Sequence, residues 1–298
     1  MSQRKMLYEE AEASYADILY THILCEKVFP ENDGVVKEAE IQVGGKKFRV
    51  DLVTRYGQPE RYFGIEVKYW PGAFHQGFRQ VDKVKNGFHS VFLGIPAEDV
   101  PVAQEEKHRG RFTDIGILPI SRIFPTTVAA TKATPNMNPD SNAIDKLVRL
   151  FENIMYGKNY SQMYYQNIEK AIFRTLTKRR KLAFLSLFIS QTKIYSLQKF
   201  LSQQKIHEFG IRFGNALNLS IKHPDWGAWE LYHLGFAEYM RIGVRKSFFR
   251  LHPWLINALK NPIETHFQND ILKLQNTINE IKQGIINKRS GIIHNYIS

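Results

Sequence analysis

Apolar and polar residues alternate in short runs over the first 120 residues, and these runs predict a sheet. The predicted strands are 38–43, 46–53, 62–69, 89–95 and 114–120. Apolar side chains recur at helical spacing over residues 5–25 and 73–86, whereas residues 98–109 are polar and predict an irregular segment. This order predicts an α/β domain with a mixed sheet flanked by helices.

A segment with three prolines and almost no large apolar residues, residues 126–142, predicts a linker between two domains. Residues 1–125 form the first predicted domain and residues 143–298 the second, which is mainly helical. Its predicted helices are 144–156, 161–176, 178–190, 196–203, 206–220 and 262–287. Two strands around Gly243, at 236–241 and 245–251, predict a hairpin. Three helices before a hairpin, about 178–255, are typical of a winged helix, although an all-helical packing domain predicts much the same pattern.

The charge is divided unequally between the two predicted domains. Residues 1–125 contain 17 Lys and Arg and 18 Asp and Glu, a net charge of −1. Residues 126–298 contain 24 and 11, a net charge of +13. A basic surface of that size favours a polyanion, and we expect the C-terminal domain to bind DNA, most simply a duplex, through phosphate contacts.

Basic side chains are concentrated at three places in the C-terminal domain. The DNA-binding candidates are Lys178, Arg179, Arg180 and Lys181 in one run, Lys205 and Arg212 on the third helix, and Arg241, Arg245, Lys246 and Arg250 on the hairpin. His207 also lies on the third helix. A charge run of this kind is more often a solvated surface than a phosphate-binding site.

Two carboxylates and a lysine are predicted to share one face of the hairpin formed by the second and third strands. If the hairpin is symmetric about Gln58 and Pro59, Asp51 lies opposite Glu66, and Lys68 follows two residues later on the same face. Like charges directly opposite each other destabilise a sheet unless a cation neutralises them, and Mg²⁺ is typically held by one or two carboxylates. We therefore predict a metal-assisted phosphodiester hydrolysis site.

Other features limit the class of protein. No run of about 18 apolar residues is present, and the N-terminus does not have the pattern of a signal peptide, so we expect a soluble, cytoplasmic protein without a membrane partner. The single cysteine, Cys25, excludes an internal disulfide framework. Ile271, Leu274, Ile278, Ile281 and Ile285 form a short seam on the last helix. That helix either pairs two subunits into a homodimer or folds back onto its own domain.

Asp51 is followed, after fourteen further residues, by Glu66-Val67-Lys68, and the predicted elements have the order helix, three strands, helix, strand. This motif in this order of elements resembles the PD-(D/E)xK nuclease superfamily over about residues 5–120. The resemblance implies a restriction-endonuclease-like fold and Mg²⁺-dependent DNA cleavage, with Mn²⁺ as a substitute. It implies Asp51, Glu66 and the Val67 carbonyl as metal ligands and Lys68 as the catalytic lysine.

Two flanking helices carry further candidates under the same resemblance. Glu12 lies beside the apolar stripe of the first helix and would be a further metal ligand, with Glu9 as second choice. Gln80 resembles a glutamine that helps orient the site in some branches, although the tyrosine expected four residues later is Val84 and the name-giving proline is Val50.

Three functions are compatible with these observations. A restriction or defence endonuclease fits best, because an appended reader domain supplies sequence choice. A repair, recombination or transposition nuclease that recognises DNA structure is the second. A DNA-binding regulator with an inactive nuclease fold is the third, and intact Asp51, Glu66 and Lys68 argue against it.

Overall fold

In the computed structural model, the described residues are 3–24, 32–57, 59–121, 131–152, 169–170, 172–195, 197–243 and 246–294. The chain divides into two compact units, Met1–Ala171 and Ile172–Ser298. None of the helices in the described ranges is both long and apolar enough to cross a membrane.

The N-terminal unit is built on a five-stranded mixed sheet. Its described elements are α1 (Gln3–Leu24), β1 (Asn32–Val43), β2 (Lys46–Tyr56), β3 (Arg61–Val67), α2 (Phe74–Val84), β4 (Ser90–Pro96), α3 (Val100–Arg109), β5 (Gly116–Ile120) and α4 (Ser141–Glu152). The strands follow one another in sequence order across the sheet, with β1, β2 and β3 antiparallel and β3, β4 and β5 parallel. The predicted mixed α/β class is therefore confirmed.

Helices cover both faces of this sheet. Successive residues of a strand point to opposite faces, and β4 shows both contacts: Leu93 lies against Gly77 of α2, whereas Gly94 lies against Leu19 of α1. The apolar sides of α2 and α4 join the same core as the strands, with Phe78, Leu147 and Phe151 fully buried. The sheet is thus the middle layer between α1 and the α2–α4 side.

The polar segment predicted to be irregular at residues 98–109 forms α3 instead. Only Ala103 of this helix is buried, so the sequence carries no apolar periodicity that would indicate a helix. The helix begins with a proline in its first turn, and Arg109 pairs with Glu105 and Glu106 one turn earlier.

The boundary between the units lies later than the predicted linker. Within residues 126–142, residues 131–142 are described, and Thr131, Thr134 and Asn136 donate backbone hydrogen bonds to the N-terminal unit. Asp140 accepts from the amides of Ala143 and Gly44, which ties the start of α4 to the β1–β2 turn. Because the apolar side of α4 then completes the sheet core, residues 141–152 belong to the N-terminal unit.

The C-terminal unit combines helices with a small antiparallel sheet. Its described elements are α5 (Lys178–Ile189), β6 (Leu201–Ser202), α6 (Gln203–Ala216), α7 (Trp226–His233), β7 (Ala237–Ile242), β8 (Lys246–Leu251), α8 (Pro253–His266), α9 (Gln268–Lys273) and α10 (Gln275–His294). The sheet order is β6, β8, β7, so the two-residue β6 pairs with the second strand of the hairpin. Helix α5 is its central helix, buried continuously from Leu182 to Ile189.

Several predicted elements of this unit differ from the structure. The short helix expected at 196–203 is replaced by β6, because pairing with Phe248 and Phe249 of β8 fixes that segment as a strand. Helix α7 was not predicted. The single helix expected at 262–287 is three helices, interrupted at Phe267 and Leu274. The helix predicted at 161–176 lies mostly outside the described residues.

Candidate functional site

The β2–β3 pairing has the register that the symmetric hairpin predicts. Val53 pairs with Gly64 and Leu52 with Ile65, and the next pair along the register is Asp51 and Glu66. At that point the backbone ladder ends, and the Asp51 carboxylate takes its place: Oδ2 accepts from the Val67 amide at 2.7 Å. The two strands therefore diverge where the two acidic side chains begin.

Lys68 links the strand end to α1. Its Nζ lies 3.0 Å from Glu66 Oε1 and 2.8 Å from Glu12 Oε1, while its amide donates to the Gly94 carbonyl at 2.8 Å. Glu66 and Lys68 are 9% and 8% exposed. A buried lysine held between two carboxylates is strongly oriented, because a misplaced ammonium there would be desolvated without a partner.

Helix α2 approaches this lysine through Gly77, which the sequence did not single out. A Cβ on Gly77 would lie 2.8 Å from the Lys68 Cγ and 2.7 Å from a Leu93 methyl, so only glycine leaves room for the lysine stem. Gln80 is three residues further along α2, and its Oε1 is buried with no hydrogen-bond partner among the described residues. A buried acceptor without a donor costs folding free energy, so it is a candidate contact for a ligand or water.

The pKa values of all three residues, Asp51, Glu66 and Lys68, are raised above their ordinary values. Burial, followed by repulsion from Asp51, raises the pKa of Glu66 to about 7 despite the opposing effect of Lys68. Burial likewise raises the pKa of Asp51 against the hydrogen bond from Val67. Burial alone would lower the pKa of Lys68, but Glu66 and Glu12 together raise it, so the lysine is cationic at neutral pH.

The donor set of this cluster fits a hard divalent cation. Asp51 and Glu66 provide carboxylate oxygens, the ligands that Mg²⁺ prefers, and a cation would favour the ionised forms that burial, and secondarily neighbouring carboxylates, disfavour in both groups, whose pKa values are raised. Glu12 offers a third carboxylate, and Glu9 on the same helix is exposed. The Val67 amide is bound to Asp51, which fixes the peptide next to its carbonyl.

Three of the four basic residues at 178–181, which were predicted to contact phosphate, form ion pairs within the protein. Arg180 is buried and pairs with Glu230 at 2.6 Å, and Arg179 reaches the same carboxylate at 3.1 Å. Lys181 pairs with Asp270 at 2.7 Å. Lys178 is exposed, and it forms no ion pair with another of the described residues. The run thus mainly anchors α5 to its neighbours.

The remaining basic candidates also differ in their availability. Lys205 pairs with Glu208, Arg212 with Glu280 of α10, and Arg250 with Glu238, at 3.3, 2.6 and 2.5 Å respectively. Arg241 and Lys246 are exposed on the β7–β8 hairpin. Arg245 lies outside the described residues. Of these candidates, Arg241 and Lys246 on the hairpin are exposed, whereas Lys205 and Arg212 on α6 are partly buried.

The structure also brings together residues that sequence reasoning did not combine. Tyr8 stacks on Trp70 with ring centroids 4.8 Å apart, beside the Glu12–Lys68 bridge. In the C-terminal unit, ligand atoms of His207, His223 and Asp225 lie within 4.8 Å of one another. Among the described residues this trio is the one His, Cys, Asp and Glu group that meets that distance, so Glu12, Asp51 and Glu66 are more widely spaced.

No protein-family model matches the chain, and searches of curated proteins and of solved structures found no match either.

Proposed function

We propose that the N-terminal unit is a Mg²⁺-dependent DNA endonuclease of the PD-(D/E)xK type, used in restriction or defence. The observation that carries the proposal is the position of Lys68. Its ammonium lies within 3.0 Å of Glu66 and 2.8 Å of Glu12, and Asp51 faces the same strand end. The element order, with α1 before three strands, then α2 and β4, supports the same assignment.

Each residue has a distinct role in this proposal. Asp51 and Glu66 would hold Mg²⁺, which would lower the pKa of a water ligand and stabilise charge on the phosphate. Lys68, cationic because two carboxylates flank it, donates a hydrogen bond to the attacking water or to the phosphate. Glu12 holds the ammonium from the α1 side. Gln80 accepts a hydrogen bond from a bound ligand or water through its buried Oε1, which has no protein donor among the described residues.

The C-terminal unit is proposed to hold the DNA as a winged helix. Its order is α5, β6, α6, α7 and then the β7–β8 hairpin, with β6 pairing onto β8. The exposed Arg241 and Lys246 on the hairpin, together with Lys178, are the proposed phosphate contacts. Arg180 is excluded from that role because it is buried against Glu230.

Plasmid cleavage tests the nuclease proposal. Supercoiled DNA is incubated with wild type and with Asp51→Asn, Glu66→Gln and Lys68→Met, with Mg²⁺, with Mn²⁺ and with a chelator. We expect cleavage by wild type with either metal and at least about 100-fold slower cleavage by each variant, since the first two remove a charged ligand of the metal and the third removes the cation that contacts the water or the phosphate. Asp82→Asn, an exposed acid on α2, is the matched control and should cut normally.

The outcome separates the alternative functions. Equal cleavage by all variants would exclude this site as the catalytic centre. Cleavage of branched junctions but not of linear duplexes would favour a nuclease that recognises DNA structure. Salt-dependent DNA binding by wild type without any cleavage would favour the DNA-binding regulator.

A further inference from the structure

Helix α6 and the turn before α7 bring together two imidazoles and a carboxylate. His207 Nδ1 lies 2.8 Å from Asp225 Oδ1, and the rings of His207 and His223 are 6.1 Å apart. One ligand atom from each of the three residues lies within 4.8 Å of the other two. These residues are distant in sequence from the nuclease candidates and have no role in the proposed hydrolysis.

The carboxylate of this cluster is held rather than freely solvated. Asp225 is 7% exposed, and its Oδ2 accepts a hydrogen bond from the side-chain Nε2 of Gln203 at 2.8 Å. Gln203 lies one helical turn before His207 on α6. Although Asp225 stands at the start of α7, its side chain makes no capping hydrogen bond to that helix. The carboxylate therefore contacts His207 and Gln203 instead of the helix end that it would ordinarily stabilise.

The third residue is accessible but restrained. His223 is exposed, and its ring stacks on Trp226 with centroids 5.0 Å apart and an interplanar angle of 17°. A buried carboxylate, a partly buried imidazole and an exposed imidazole leave one side of the cluster open to solvent. A cation can enter from that side and complete its shell with water.

We propose that His207, His223 and Asp225 bind a transition-metal cation of the Zn²⁺ class, which joins α6 to the turn before α7. Imidazole nitrogen suits Zn²⁺, Co²⁺ and Ni²⁺, whereas Mg²⁺ prefers oxygen ligands alone. Tetrahedral Zn²⁺ with bonds of about 2.0 Å places its ligand atoms about 3.3 Å apart. The three ligand atoms, which lie within 4.8 Å of one another, therefore need only small side-chain rotations to reach that spacing.

Isothermal titration of the metal-free chain, residues 1–298, with Zn²⁺ and without DNA tests this site. We expect one equivalent to bind tightly, apart from any weaker binding at the carboxylates of the N-terminal unit, and His223→Ala or His207→Ala to weaken the tight binding by at least about 100-fold. Gln203→Ala removes only a hydrogen bond to the ligand carboxylate and should weaken it about 10-fold. His108→Ala, an exposed histidine on α3, is the control and should bind as wild type does.

A second readout guards against a variant that fails to fold. Co²⁺ bound to these ligands should give visible absorption that is lost in His223→Ala, whose exposed side chain can be removed without disturbing the core. Equal Zn²⁺ affinity in wild type and His223→Ala, or weak binding at several sites only, would overturn the proposal and identify adventitious metal. Because no DNA is present, this result is independent of nuclease activity.

Discussion

Glu66→Gln should stabilise the protein above pH 7 while slowing the proposed cleavage at least about 100-fold. The pKa of Glu66 is raised from 4.5 to about 7, mainly by burial and then by Asp51. A carboxyl with a raised pKa binds its proton more tightly in the folded state, so its contribution to stability is lost as the pH rises from about 4.5 to 7. At about 1.36 kcal/mol per pKa unit, the loss for this buried group is on the order of 3 kcal/mol.

Urea unfolding at pH 5, 6, 7 and 8 in the presence of a chelator measures this effect. The difference in the free energy of unfolding between Glu66→Gln and wild type should grow between pH 5 and 7 and then level off. Adding Mg²⁺ at pH 8 should stabilise wild type selectively, because the cation takes over the neutralising role of the proton. A constant difference across the pH series would refute the argument, and Asp82→Asn should give the same profile as wild type.

Further substitutions test the packing around the two units. Gln80→Met should leave the free energy of unfolding unchanged or raise it, because an unsatisfied buried oxygen is removed, yet it should slow plasmid cleavage; unchanged cleavage would contradict a role for Gln80. Gly77→Val should destabilise the protein by about 1–3 kcal/mol in urea unfolding, because the added carbons collide with Lys68 and Leu93. Arg180→Met should cost about 1–3 kcal/mol, because the hydrogen-bonded ion pair to Glu230 is lost while Arg179 still pairs with that carboxylate, but the salt dependence of DNA affinity should stay unchanged. A shallower salt slope would return Arg180 to the phosphate contacts.

The nuclease candidates could be predicted because hairpin register is a local property. Two alternating runs separated by a Gly- and Pro-containing turn determine which residues face each other, and the observed pair Leu52 and Ile65 has that register. Glu12 was placed by its position on the edge of the α1 stripe, and Lys68 does reach it across 56 residues of sequence. The need for glycine at position 77 is invisible in sequence, since it depends on where the lysine stem passes.

Long-range pairing explains what the sequence did not indicate. Strand β6 is two residues long and exists because β8 lies beside it, so no periodicity could reveal it. The basic run at 178–181 is read as a phosphate grip until Glu230 and Asp270, distant in sequence, are seen to pair with three of its members. Charge counts along a chain thus overestimate the cations that remain available to a partner.

The packing of α4 determines where the N-terminal unit can be cut. The Ala143 Cβ lies 3.3 Å from the point where a Cβ on Gly87 would be, beside Ile41 and Val43 of β1. Leu147 and Phe151 of α4 belong to the same buried core. A fragment ending at residue 125 would lack this cover and expose an apolar sheet face, which favours aggregation. A fragment that continues through residue 152 keeps the face covered and is the one to purify when the proposed nuclease activity is tested without the C-terminal unit.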